Sequence, residues 1–134
     1  MKNSVHNILV QNVNFGFIIY NNYESDETSF MTDSKLPLQF AHMSFKKNET
    51  IQAHEHNIFK REVSNINEVL IVKSGSIRVN FFNKKVKVHD EIINKGDIIF
   101  LQDGGHSFDF LEDSRIFEIK NGPYLGETKD KVKF

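Results

Sequence analysis

The sequence predicts one all-β domain in which hairpins dominate, and three observations predict it. Apolar residues recur with a period of two along most of the chain. Turn-forming residues punctuate it every 8–12 residues or roughly so, the rhythm of a β-sandwich or barrel. No segment carries a helical apolar stripe longer than two turns.

The elements follow in order. Residues 14–20 and 37–46 read as strands, and the polar stretch 21–35 between them reads as a long loop. Lys47-Asn48-Glu49 is a turn, and 57–65 has room for a short helical turn. Glu68 heads the apolar run Val69-Leu70-Ile71-Val72, which Lys73-Ser74-Gly75 ends. In 76–82, Ile77, Val79 and Phe81 share one face; in 84–93, Val86 and Val88 alternate with Lys85, Lys87 and His89. This is the pattern of half-buried antiparallel strands. Further turns fall at Asn83-Lys84, Asn94-Lys95-Gly96-Asp97, Gly104-Gly105, Glu112-Asp113-Ser114 and Asn121-Gly122-Pro123.

Composition narrows the chemistry. A chain of 134 residues fits one domain and hides roughly two thirds of its unfolded surface on folding. Thirteen Phe and no Trp supply the aromatic core. A net charge of -1 gives no basic stripe for nucleic acid. No apolar run approaches the roughly 20 residues of a membrane-spanning helix, and residues 1–7 lead into no signal-peptide core, so a soluble cytoplasmic protein is expected. With no Cys, there is no disulfide framework, thiolate site or Cys nucleophile, and any transition-metal site must be built from the six His and the carboxylates.

His54-Glu55-His56 is a His-x-His pair. On a strand, alternate side chains share a face with their Cα atoms about 6.6 Å apart. Two imidazoles can then meet one ion at a metal–nitrogen distance of about 2.1 Å. Two surface histidines are the plain alternative. An acidic residue heading a buried strand, as Glu68 does, has to be paired or metal-bound. The Gly104-Gly105 turn delivers His106 into the next strand, Ser107-Phe108-Asp109-Phe110.

At these residues the sequence resembles the cupin superfamily, over about residues 38–120. Cupins carry a first motif Gly-x5-His-x-His-x3–4-Glu-x6-Gly and a second motif Gly-x5-Pro-x-Gly-x2-His-x3-Asn. His54, His56, Glu68 and Gly75 match the first; Gly96, Gly104 and His106 match the second. Departures are specific. Eleven residues separate His56 from Glu68, read as a loop over 57–67. Glu62, nearer the usual separation, competes with Glu68 as the acidic ligand, and the spacing to Gly75 favours Glu68. Gln102 stands for Pro, one residue is missing before His106, and Phe110 stands for Asn. The first motif's initial Gly is absent, and Lys47-Asn48-Glu49 supplies that turn.

The resemblance implies a single double-stranded β-helix, or jelly-roll, barrel over 36–126. Residues 1–35 would be N-terminal strands and a polar loop packing on it. Residues 127–134 would be a charged tail, its end mobile unless Phe134 docks. It implies a metal site of His54, His56, Glu68 and His106 holding one divalent transition metal. Fe, Mn, Ni, Zn and Co all suit nitrogen and oxygen donors. The alternative is that the four residues line a polar pocket without metal.

Other residues are candidates around such a site. His42 shares a strand face with Phe40 and could act as an acid/base; a hydrogen-bonded sheet-edge His is the plainer reading. Glu62 serves as acid/base if it is not a ligand. Arg61, with Lys60, could bind an anionic substrate, or belong to a solvated loop. Arg78 and Glu118 could face the pocket, and Tyr124 could close it. His6 and His89 carry no functional signal.

The expected function is that of a metal-dependent enzyme acting on a small polar metabolite. The substrate would be a sugar or sugar derivative, in an isomerisation or epimerisation with the metal as Lewis acid. An Fe(II)-dependent dioxygenase, a non-catalytic carbohydrate-binding module and a metal-free sugar-nucleotide epimerase are the alternatives. The end of the chain is similar to a group of small bacterial cupins, some encoded among surface-polysaccharide genes. Small cupins often pair as homodimers. The partners expected are a small-molecule substrate and a second copy, with neither nucleic acid nor membrane.

Overall fold

Period-two alternation becomes ten strands in a computed structural model that describes residues 4–134. They are β1 (His6–Val10), β2 (Val13–Ile19), β3 (Ser29–Phe30), β4 (Ala41–His42), β5 (Glu68–Ser74), β6 (Ser76–Asn83), β7 (Val86–Asn94), β8 (Ile98–Leu101), β9 (Gly105–Phe110) and β10 (Arg115–Lys120). One short helix, α1 (Glu127–Asp130), follows. The fold is all-β and antiparallel. A five-stranded sheet has the order β1-β2-β8-β5-β10, a three-stranded sheet the order β7-β6-β9, and β3 pairs with β4 as a small ribbon. No helix among the described residues is long and apolar enough to cross a membrane.

The inward faces of the two larger sheets make the main core. Leu70, Val72, Ile99 and Leu101 of the first sheet meet Ile77, Val79, Phe81 and Ile93 of the second. Alternation continues along β5, so Val69 and Ile71 point to the other face of the first sheet. That face is not left to water. Tyr23, Met31, Leu36, Leu38 and Phe40 pack over it as an outer layer. Phe17 and Phe100 stack there at 5.1 Å with planes 2° apart, and Phe40 meets Phe17 edge-on at 5.7 Å. Because both faces of this sheet are covered, its strands read as nearly continuous apolar runs.

Turn chemistry holds the hairpins. Gln11 and Asn12, and likewise Lys84 and Lys85, stand at positive φ in two-residue loops whose twist suits a hairpin. Asp97 is buried, and its two carboxylate oxygens accept from the backbone N–H groups of Asn21 and Asn94 at 2.8 and 2.7 Å. At the β1–β7 side of the molecule, His6 Nε2 and His89 Nε2 lie 2.7 and 2.8 Å from one oxygen, Glu91 Oε1. Burial works against the charge of Glu91, and the two imidazoles outweigh it and hold the carboxyl below its usual range.

Three expectations are corrected. The strand expected over 37–46 shrinks to Ala41–His42, because Leu36, Leu38 and Phe40 are used as a cover rather than in a ladder. No helical turn forms in 57–65. The His54–His56 pair does not sit on a strand of this chain: 43–67 carries no strand or helix, and 45–65 is exposed throughout.

Candidate functional site

Glu68 and His106 come from opposite sheets. Glu68 is the first residue of β5 and shares the inward face with Leu70 and Val72, so alternation drives it between the sheets. It lies in register with Leu101 on one side and Lys120 on the other, and it is 8% exposed. His106 is opposite Phe81 in register, next to the inward-facing Phe108. The turn before it is tight. Gly104 stands at φ +77, and a Cβ there would lie 2.3 Å from the Phe15 ring. Across the gap His106 Nε2 is 3.4 Å from Glu68 Oε2.

The pair lines a cavity of about 590 Å³ together with Ile66, Phe82, Leu101 and the tail 130–134. The tail docks. The Phe134 ring meets Phe82 edge-on at 5.3 Å, and it approaches Gly105 so closely that a Cβ there would come within 2.9 Å of it. Asp130 of α1 is 3.4 Å from the Lys120 ammonium, which tethers the tail to β10. Burial works against the charge of Lys120, and Glu118, Asp130 and Glu68 outweigh it and keep the ammonium above its usual range.

The hydrogen bond from His106 holds the Glu68 carboxyl below its ordinary range; burial opposes this, and the charges of His106, Lys120 and Lys131 add to it. The fold thus favours the carboxylate. Its contribution to stability is present above the unfolded-state pKa and is lost as pH falls through the lowered folded value. Glu68→Gln is therefore expected to cost stability near neutral pH, with the difference from the parent shrinking on the acid side. Urea unfolding across a pH series checks this; a difference that stays constant with pH would contradict it.

The other candidates lie apart from this pair. His54 and His56 sit on the exposed segment, their rings 5.2 Å apart, with His54 Nδ1 2.8 Å from the Gln52 carbonyl oxygen. Glu62, Lys60 and Arg61 are exposed on the same segment, the Arg61 guanidinium 6.0 Å from the Phe59 ring centre. His42 belongs to the outer layer, its Nδ1 3.1 Å from the Glu27 carbonyl oxygen and its ring 5.2 Å from Tyr23. It lines a different depression, with Tyr20, Phe40 and Gly96. Arg78 stands on the outward face of β6, between the inward Ile77 and Val79. Tyr124 is 62% exposed beneath the Lys120 ammonium, 5.1 Å away.

The four donors expected for a metal are therefore not gathered within one chain. Among the described residues no three His, Asp or Glu side chains are grouped so that they could hold an ion. Glu68 and His106 are two donors, fewer than the three or four protein ligands of a transition-metal site.

The chain matches no protein-family model, no curated protein and no solved structure.

Two features of the chain's chemistry escaped the sequence reading. Lys131 and Phe134 line the pocket, and only the apolar end of a charged tail hinted at it. His6 and His89 share Glu91; the i, i+2 spacing of His89 and Glu91 was the available signal, but nothing local placed His6 beside them.

Proposed function

We propose that this chain is a single-domain cupin that binds a small polar metabolite, a sugar or sugar derivative, in the Glu68–His106 pocket. The pair would move a proton in an isomerisation or epimerisation. The observation that carries the reading is the carboxylate–imidazole contact at the wall of a cavity whose other side is the chain's own tail. A carboxylate held ionised can accept a proton, and an adjacent imidazole can donate one or hold the partner oxygen. The mixed lining suits a ligand with hydroxyl groups and an apolar face: Leu101, Ile66 and Phe82 against Glu68, His106 and Lys131.

The topology supports the jelly-roll part of the reading. After β5 the chain crosses to the second sheet for β6 and β7, returns for β8, crosses for β9 and returns for β10. Interleaved crossing between two antiparallel sheets is the mark of a jelly roll. The Gly104 turn and the position of His106 agree with the second cupin motif.

Calorimetric titration with a panel of monosaccharides, sugar acids and nucleotide sugars tests the proposal. At least one member is expected to bind. Glu68→Gln and His106→Ala are each expected to weaken that binding about tenfold or more, the loss of a charge-assisted hydrogen bond. Binding that survives both substitutions, or no binding across the panel, would overturn it. A non-catalytic binding module differs in one readout: it binds without exchanging a substrate proton for deuterium in heavy water.

A further inference from the structure

One wall of the Glu68–His106 pocket is built differently from the rest. Glu68 and His106 stand on β5 and β9, in ladders of backbone hydrogen bonds. The opposite wall is the stretch that follows Gly126, and it belongs to neither sheet. Its regular element, α1, is one turn long and has no buried residue. A helix that short does not hold itself together in water. Lys133 lies 2.6 Å from Glu127, which ties the stretch to itself rather than to the strands. Lys120 and Phe82 tie it to the strands, through Asp130 at 3.4 Å and the Phe134 ring at 5.3 Å. Val132 and Phe134 stay 77% and 61% exposed, so docking hides little apolar surface.

A glycine lies at each end of this wall, for opposite reasons. Gly126 stands at φ +95, and a Cβ there would meet nothing within 4 Å. Nothing packed against it opposes rotation of the chain at that point. Gly105 is the reverse case. It lies in β9 with a φ outside the left-handed region, so its backbone suits other residues too. A Cβ there would nevertheless come within 2.9 Å of the Phe134 ring and 3.3 Å of Phe82 Cβ. The bare backbone of β9 is thus a seat for one ring, next to the imidazole that faces Glu68.

We propose that residues 127–134 form a strap hinged at Gly126, which opens to admit the ligand and seats again over it, with Phe134 on Gly105 as its catch. The proposal rests on the Glu68–His106 pocket being the ligand site. With the strap seated, the cavity still measures about 590 Å³, within the roughly 300–1,000 Å³ of small-molecule sites. The strap is therefore a wall of the site and not its occupant. A ligand that touches both walls binds the seated state more tightly and shifts the population toward it. Closure also shuts water from the Glu68–His106 pair. The hydrogen bond from His106 does most to favour the Glu68 carboxylate, and the charge of Lys131 adds to it. Lys131 leaves with the strap, so the site is fully assembled only when the strap is seated.

The chain has no Trp, so Phe134→Trp places a single indole on the strap. In urea its emission is expected to shift to that of an exposed indole before the far-UV circular dichroism of the strands changes. Adding Gly105→Ala is expected to give the exposed emission without urea. Asp130→Asn cuts the tether to Lys120 and leaves β9 untouched; it is expected to release the indole at lower urea, and it decides the matter if Gly105→Ala does not fold. An indole that moves only with the strands, or that neither substitution releases, would overturn the strap. Any sugar of the panel that binds is then added. It is expected to protect the indole from acrylamide, and the releasing substitution is expected to weaken its binding about tenfold, through faster dissociation. A ligand that exposes the indole or leaves it unchanged, or a released strap that binds as tightly or more tightly, would overturn closure over the ligand. The two readings fail separately. Binding with an indole that moves only with the strands keeps the pocket and discards the strap. No binding across the panel, with an indole released ahead of the strands, keeps the hinged strap and discards the sugar pocket.

Discussion

Gly16→Ala is expected to lower the free energy of unfolding by about 4 kcal/mol, read from the shift in the urea midpoint. Gly16 stands at φ +133, and a Cβ built on it would lie 1.8 Å from the carbonyl oxygen of Phe100 and 2.8 Å from its carbon. Both are backbone atoms of the neighbouring strand β8, so no side chain can swing away. The strained backbone costs about 1–3 kcal/mol and the overpacking about 1–3 kcal/mol more. That is a large share of the roughly 5–15 kcal/mol that stabilises a domain. The reason for the glycine lies in the register of β1 against β2, which shifts between Ile8 and Leu9. At this bulge the facing of β2 changes: Phe15 and Ile18 enter the main core, while Phe17 and Ile19 enter the outer layer. A variant with an unchanged midpoint would show that the two strands can separate here at little cost.

Phe81→Ala is expected to cost about 3–5 kcal/mol, the range for removing a large buried aromatic side chain. Phe81 is fully buried, 5.3 Å from the Phe15 ring and 6.0 Å from the His89 ring. It is also opposite both His106 and His89 in register. The cavity therefore opens beside the imidazole that faces Glu68, and the Glu68–His106 contact is expected to loosen along with stability. Phe82→Ala provides the contrast. Its side chain is half-buried, and it meets Phe134 rather than the core. Its stability should change far less. Equal losses in the two variants, measured by urea unfolding, would mean that the tail contact matters as much to the fold as the core does.

The strands from Glu68 onward were legible because alternation and turn residues agree there. Gly75, Lys84 and Gly96 all mark ends of ladders that form where the pattern places them. The first forty residues were less legible. Leu36, Leu38 and Phe40 alternate like a strand, but they form a cover, and a cover needs the same apolar spacing without the ladder. The bulge at Phe15 and Gly16 inverts the parity within one strand, which a fixed period of two cannot express. In the site, Glu68 and His106 were legible singly, from a charge heading an apolar run and a histidine after a Gly-Gly turn. Their contact was not, since it depends on how two sheets face each other. The exposed segment 45–65 was legible only in part, as a long insertion over 57–67 between His56 and Glu68. Its histidines lie on an exposed stretch with no strand or helix, so the His-x-His spacing there has no regular backbone to give it a fixed geometry.

The outer layer over the first sheet has one more consequence. β8 pairs between β2 and β5, and the layer leaves it with core on one face and Phe17, Phe40 and Met31 on the other. β8 is paired along both sides and covered on both faces, whereas the segment 45–65 and the tail lie at the surface. The molecule thus has a frame whose deuterium uptake follows global unfolding and a rim whose uptake follows local opening. The tail can then lift from the pocket it lines without loosening the strands that hold Glu68 in place.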